Sequence, residues 1–361
     1  MKIKSAKELM NDNMLVKHAA GSHAYGTSLP TSDRDFRGIF CAAPVNVRTP
    51  FFPMYECEDS DEEDTKFYEL SHFMKLCLDC NPNIVETLWV DSSDIVFQTN
   101  AYNHLRQHRH ELLSSKVAFT FSGYALAQLK RIKGHNKWIT NPQPIEPPQQ
   151  VDYVSLVQWF VSGTKMMPRD FTLRRFREDF RLIPYGNDTY GLYGLCPIAM
   201  GHDTYTEDGT LNTTFEGEHH ELGTPAAVVK FNKQEYLTAK EKHEQYWNWK
   251  KNRNVARSAL EENFGYDTKH AMHLVRLLRM GVEILRDGEV IVKRPDAEEL
   301  LSIRAGAWTY EQVVQYAEQM DLDVRENWYK KTSLPKTPDI KLAAKLLMEV
   351  QDIVWSEENA D

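Results

Sequence analysis

The twenty residues GSHAYGTSLPTSDRDFRGIF, positions 21–40, constrain the chain more than any other stretch. A Gly-Ser pair offers uncovered backbone N–H groups and a hydroxyl. Ten residues later come two aspartates separated by one residue. Side chains alternate along an extended chain, so Asp33 and Asp35 would point the same way if residues 33–39 run as a strand. Two neighbouring carboxylates repel and stay ionised at neutral pH only when cations hold them. The bland alternative is a turn whose aspartates merely cap. Residues 36–41 (FRGIFC) read as a strand, and residues 14–20 (MLVKHAA) as a short strand or helix leading into Gly21.

The next elements suggest a small mixed sheet covered by helices. ECEDSDEED, 56–64, carries seven acids in nine residues and reads as a solvated loop. FYEL then looks extended. SHFMKLCLDC looks helical, with Ser71 as N-cap and Asn81-Pro82 as its stop. IVETLWV follows as another apolar element. Cys77 and Cys80 form a C-x-x-C, but no second pair follows and both continue an apolar helical stripe. Five cysteines, an odd number in 361 residues, argue against a disulfide framework, so buried thiols are expected.

Residues 111–133 and 151–177 read as helical, separated by the proline-rich connector NPQPIEPPQQ, 141–150. Residues 182–230 are rich in Gly, Thr, Tyr and Asn and suggest hairpins. Residues 233–318 are mostly helical in pattern, with breaks near Gly265, Gly288 and Pro295. A helical apolar stripe runs from Asp339 to Trp355. The expected division is therefore 1–110, a mixed-sheet core; 111–181, a helical region with its connector; 182–232, a β-rich insert; and 233–361, a helical C-terminal region.

The quoted stretch has the parts of a phosphate-transfer site. A Gly-Ser turn before a helix supplies N–H donors to phosphates. Magnesium prefers oxygen ligands, commonly one or two carboxylates plus substrate phosphates. Two such ions can clamp the attacking and leaving oxygens of an in-line displacement.

The pattern G-S-x(10)-D-x-D, with Tyr25-Gly26 inside it and Gly38 just after, resembles the signature of the DNA polymerase β nucleotidyltransferase superfamily. Two longer stretches narrow the likeness. YEL-x(2)-F-x(2)-L-x(4)-NP-x(3)-E-x-LW, Tyr68 to Trp89, resembles the RlaP-type branch of nucleotidyltransferases found in bacteria and phages and linked to RNA repair. So does GYDTKHAMHLVRLLRMGVEIL, 265–285, followed by VKRPDAEELLSIRAGAW. The likeness covers roughly 14–90 and 240–340. It implies an α+β fold: a small mixed-sheet polymerase-β-type core followed by a mostly helical domain with a β-rich insert. It also implies transfer of a nucleoside monophosphate from a nucleoside triphosphate to an acceptor hydroxyl, with two Mg²⁺ ions that Mn²⁺ could replace. Gly21 and Ser22 would then hold phosphates, and Asp33 and Asp35 the metals. A third carboxylate would come from Asp64, with Glu69 and Glu63 as alternatives.

Lys269, His273 and Arg276 lie at i, i+4 and i+7, one face of a helix. The bland reading is a solvated basic face. Opposite a carboxylate site, the same face would neutralise a triphosphate. His270 could contact phosphate or base, and Asp267 is expected to be an N-cap.

The second substrate is expected to be RNA, with a tRNA-like 3′ end as acceptor; a protein or small molecule is the alternative. A non-catalytic nucleotide- or RNA-binding protein is a third reading. Three stretches mix cations with aromatics, as single-stranded nucleic acid requires. LKRIKGHNKWITNP offers Lys130, Arg131, Lys133, Lys137 and Trp138. YWNWKKNRNVAR offers Lys250, Lys251 and Arg253. RDFTLRRFREDFR, 169–181, has five arginines, but interleaved acids suggest salt bridges instead. The formal net charge of -9 disfavours indiscriminate nucleic-acid binding. No apolar run reaches membrane-spanning length and MKIKSAKELMNDN has no signal-peptide core, so a cytoplasmic protein with no membrane partner is expected.

Overall fold

The computed structural model describes residues 4–58, 65–160, 170–194, 196–216, 222–252 and 261–358. The chain forms two units, one of residues 1–140 and 255–361, the other of residues 141–254.

The first unit is built on five strands: β1 Met14–Ala19, β2 Phe36–Phe40, β3 Glu56–Glu58, β4 Thr65–Glu69 and β5 Ile95–Gln98. Their order is β3-β4-β2-β1-β5. β1 is antiparallel to β2 and β5, whereas β2 and β4 are parallel, in register from Phe36↔Thr65 to Phe40↔Glu69. The sheet is therefore mixed, as expected. Gly38 sits at its centre because a Cβ there would lie 2.4 Å from both the Phe67 ring and the Val16 carbonyl oxygen.

Helices Leu70–Leu78, Val117–Thr140 and Thr268–Asp287 share a core with this sheet, including Val16, Ile39, Phe73, Phe121, Leu274 and Leu278. Thr268–Asp287 packs closely on Val117–Thr140, and Gly281 lies at a close contact: a Cβ there would lie 3.2 Å from that of Phe121. Asp267 caps Thr268–Asp287 by accepting from the His270 N–H at 3.0 Å, as the sequence suggested. Gly288 closes it in the left-handed conformation, φ 72°.

Several boundaries differ from expectation. The helix expected from Ser71 begins at Leu70, and Glu69, not Ser71, is its N-cap. Asn81-Pro82 ends that helix but also starts another, Pro82–Val85, because Asn81 caps it and Pro82 fits the first turn. The helix expected over 111–133 is instead a 3-10 turn, Arg109–Leu112, followed by Val117–Thr140. Glu56–Glu58 pairs with β4 as a strand; the rest of the acidic run, 59–64, lies outside the described residues.

The second unit carries four strands: β6 Val154–Trp159, β7 Phe180–Gly186, β8 Thr189–Gly194 and β9 Ala227–Phe231, in the antiparallel order β6-β9-β8-β7. The hairpin expectation holds for β7 and β8. The helix expected over 151–177 does not form where described. Val154 and Leu156 instead pair with Phe231 and Val229 and contribute to a second core with Leu182 and Leu192. Non-local pairing overrides the local pattern here. The two units thus divide the chain differently from the four expected segments: β6 joins the β-rich part, and Val117–Thr140 joins the first unit.

The described part of the arginine-rich stretch, 170–181, pairs with acids of the second unit at its surface. Arg174 makes a two-pronged bond to Asp152 at 2.6 and 2.8 Å, and Arg177 pairs with Asp203 at 3.3 Å. All five cysteines are free thiols, with Cys77 and Cys80 buried. Among the described residues, no helix is long and apolar enough to cross a membrane.

Candidate functional site

β1 ends at Ala19, and the chain turns at once into the short helix Gly21–Tyr25. Gly21 takes φ +60°, and the Ala20 N–H donates to the Asp35 carbonyl at 2.8 Å. The turn is thereby tied to the start of β2. Asp35 also crowds Gly21 directly: a Cβ on Gly21 would lie 2.1 Å from Asp35 Oδ2. Only glycine leaves room for that carboxylate. At the far end of the helix, Gly26 takes φ +73° and the Thr27 N–H donates to the Ser22 carbonyl at 2.9 Å.

Asp33 is exposed and Asp35 half-buried, both just ahead of β2. The strand begins at Phe36, so the extended run expected from 33 is shorter. Glu69 is turned to another task. It is buried, and its Oε2 accepts from the Ser71 and His72 N–H groups at 2.7 and 3.2 Å. Asp64 and Glu63 lie outside the described residues. The oxygen donors of Asp33 and Asp35 suit a hard cation such as Mg²⁺ or Mn²⁺.

A cleft of about 390 Å³ opens over Gly21, within the size range of small-ligand pockets. Its walls bring Gly21 and Tyr25 together with Lys269, His270, His273 and Arg276. Tyr124, Gln128 and Arg131 from Val117–Thr140 complete it, with Asn83 at the edge. The helical face read from sequence thus faces the Gly-Ser turn.

Its members differ in state. Arg276 is 4% exposed and donates through Nη1 to Glu86 Oε1 at 2.8 Å. The Tyr25 hydroxyl donates to Glu86 Oε2 at 2.6 Å, and the Arg276 guanidinium stacks 3.7 Å from the Tyr25 ring centroid. Burial pushes the Tyr25 phenol pKa up and keeps it neutral. Burial opposes the Arg276 charge, but Tyr25 and Glu86 more than offset it. This buried triad fixes the cleft floor.

Burial pushes His273 down to a pKa of about 3, helped by Arg276 and Lys269, so its imidazole is neutral at pH 7. His270 Nδ1 lies 2.6 Å from Asp267 Oδ2, and its Nε2 lies 3.4 Å from Arg131 Nη1. Burial raises the Asp267 carboxyl pKa, but His270 outweighs it and the net shift is downward. A smaller hollow of about 120 Å³ adjoins Gly21 and Tyr25, lined also by His18, Arg37 and Glu86.

The VKRPDAEEL motif anchors this arrangement. The Arg294 N–H donates to the Tyr25 carbonyl at 3.1 Å. Its side chain, nearly fully buried, forks onto Glu283 at 2.5 and 2.8 Å and reaches Asp296 at 2.8 Å.

The proposed acceptor-surface residues fall on both units. Lys130, Arg131, Lys133 and Lys137 are exposed on Val117–Thr140, with Trp138 half-buried. Lys133 pairs with Glu318 at 3.1 Å. Lys250 and Lys251 end the helix Lys233–Lys251 in the second unit, where Lys250 lies 5.1 Å from the Trp247 ring centroid. Arg253 is outside the described residues.

Sequence reasoning did not assign Tyr25, Glu86, Tyr124, Gln128 or Asn83 to a site. Glu86 was visible in the NP-x(3)-E-x-LW string, and a conspicuous carboxylate in an apolar run calls for a buried partner. Nothing in the local pattern marks Tyr124 or Gln128.

Residues 2–141 match the model of the RNA repair pathway DNA polymerase beta family, RlaP. The matched segment is similar to polymerase-β-type nucleotidyltransferases of the RlaP branch. No curated protein and no solved structure matches the chain.

Proposed function

We propose that the protein is a metal-dependent nucleotidyltransferase that moves a nucleoside monophosphate from a nucleoside triphosphate to an RNA 3′ hydroxyl. The observation that carries this reading is the convergence of Gly21 and Lys269 on one cleft, with the Asp35 carboxylate packed against Gly21. Asp33 and Asp35 would hold Mg²⁺, which supplies charge neutralisation at the reacting phosphate. A third carboxylate from Asp64 fits best. Thr65 pairs with Phe36, the residue after Asp35, and Asp64 precedes Thr65 in sequence. Glu69 fits poorly because its carboxylate caps a helix.

In the reaction, the acceptor oxygen forms a bond to the α-phosphorus. The bond to the bridging oxygen of pyrophosphate breaks, and the hydroxyl proton leaves to a carboxylate or solvent. The Gly21 and Ser22 backbone amides orient the phosphates. Lys269 neutralises the β- and γ-phosphates and the departing pyrophosphate. His273, held neutral, serves as a hydrogen-bond partner and not as a charge. Arg276 supports the floor through Glu86 and Tyr25.

RNA as acceptor is supported by the family's link to RNA repair and by the exposed Lys130, Arg131, Lys133 and Lys137 along one helix. The test is transfer of α-labelled nucleotide to RNA in Mg²⁺. Label on protein instead of RNA would move the acceptor assignment to a polypeptide.

A further inference from the structure

The stretch LKRIKGHNKW holds a histidine that the reading above does not use. His135 Nδ1 lies 3.7 Å from Glu261 Oε1 and 3.8 Å from Asp267 Oδ2. One ligand atom from each of the three residues fits within a mutual span of 4.8 Å. The residues come from three places: the helix Val117–Thr140, helical residue 261, and the N-cap of Thr268–Asp287. The connecting turn is built to return both carboxylates to His135. Gly265 takes φ +77°, its N–H donates to the Glu261 carbonyl at 2.7 Å, and its carbonyl accepts from Asn136 Nδ2 at 2.9 Å.

We infer that His135, Glu261 and Asp267 form a divalent-cation site of the zinc class, separate from the Asp33–Asp35 carboxylates. Ligands about 2.0–2.1 Å from a tetrahedral ion lie about 3.3–3.4 Å from one another, so the His135 distances close by a few tenths of an ångström and the 4.8 Å span of the set by up to about 1.5 Å, within reach of side-chain rotation. Glu261 and Asp267 are 4% and 3% exposed. Both carboxylates are far from water and within 4.8 Å of each other, an arrangement that a divalent ion between them would stabilise. The mixed imidazole–carboxylate donor set favours Zn²⁺ over Mg²⁺, which prefers oxygen alone. The His270 backbone N–H donates to Asp267 Oδ1 at 3.0 Å and its Nδ1 lies 2.6 Å from Asp267 Oδ2, so His270 would orient this carboxylate as outer partners of metal ligands do. Water takes the fourth position.

The ion would join the end of Val117–Thr140 to the start of Thr268–Asp287. Because His270 also lines the nucleotide cleft, occupancy would set the orientation of its Nε2. The role is structural and positioning; no chemical step passes through it.

The test strips the full-length protein with chelator, removes the chelator, and titrates it with Co²⁺ in excess Mg²⁺. Visible absorption reports tetrahedral coordination, and bound Zn²⁺ is counted by elemental analysis after competition. The expected result is one equivalent of Co²⁺, displaced by one of Zn²⁺, with a rise in melting temperature. Binding should fall at least tenfold in His135→Ala and Glu261→Gln and persist in Asp33→Asn/Asp35→Asn. Wild-type protein that binds neither ion, or His135→Ala that binds as the wild type does, overturns the inference. The wild-type titration decides the matter even if a variant fails to fold. Loss of binding only in Asp33→Asn/Asp35→Asn assigns the ion to the other carboxylates and also overturns it.

Discussion

Replacing Gly21 by alanine separates backbone strain from displacement of the Asp35 carboxylate, which the proposed reaction uses. The left-handed conformation costs an L-residue about 1–2 kcal/mol. A Cβ at Gly21 would lie 2.1 Å from Asp35 Oδ2, and real contacts of this kind are not below 3.0 Å. Asp35 must therefore shift by about 1 Å, and misplacement on that scale costs about 100-fold in rate. Gly26 is the matched control. It has φ +73°, but its Cβ would meet nothing nearer than Ala297 Cβ at 3.8 Å. Both variants should lose about 2–4 °C in melting temperature for each kcal/mol of strain, on the scale of a unit of this size. Only Gly21→Ala should also lose about two orders of magnitude in nucleotide transfer, measured with α-labelled triphosphate under single-turnover conditions. Equal activities for the two alanine variants would refute the reasoning, because the Asp35 contact would then have no functional consequence.

Other expectations follow from the same geometry. Glu86→Gln should destabilise the first unit by about 3–5 kcal/mol, since it leaves the buried Arg276 without its counter-charge; urea unfolding measures this. Lys269→Ala should weaken triphosphate binding more than it slows transfer, which a KM-against-kcat comparison reads; global unfolding instead would assign Lys269 to packing. Burial holds the pKa of His18 at about 4 and that of His273 at about 3, below the usual 6.5. The unfolded chain binds these protons first, so stability should fall as pH drops from 6.5 toward 4. His18 alone accounts for on the order of 3 kcal/mol at about 1.4 kcal/mol per pKa unit. His18→Gln should flatten that slope in pH-dependent melts.

The candidate site residues were easier to pick out in the sequence than the boundaries around them. Gly21, Ser22, Asp33 and Asp35 drew notice because phosphate and metal chemistry would demand particular residue types at close spacing. The face of Lys269, His273 and Arg276 was legible because helical periodicity is local. Its division of labour was not. Arg276 is drawn into the floor by Glu86, nearly two hundred positions away, and no local pattern encodes that pairing. The capping role of Glu69 was hidden for a related reason: its carboxylate satisfies the N–H groups of a helix that begins one residue earlier than expected. The strand at 154–159 was invisible because its partner, β9, lies some seventy residues further on.

The central claim is nucleotidyl transfer dependent on Asp33 and Asp35. The most direct measurement incubates the protein with Mg²⁺, total cellular RNA and each of the four α-labelled nucleoside triphosphates, alongside an Asp33→Asn/Asp35→Asn variant that melts at the same temperature. The account predicts label in RNA from at least one nucleotide, lost in the variant and on removing Mg²⁺. Undiminished transfer by the variant, or no transfer to any acceptor by the wild type, would contradict it.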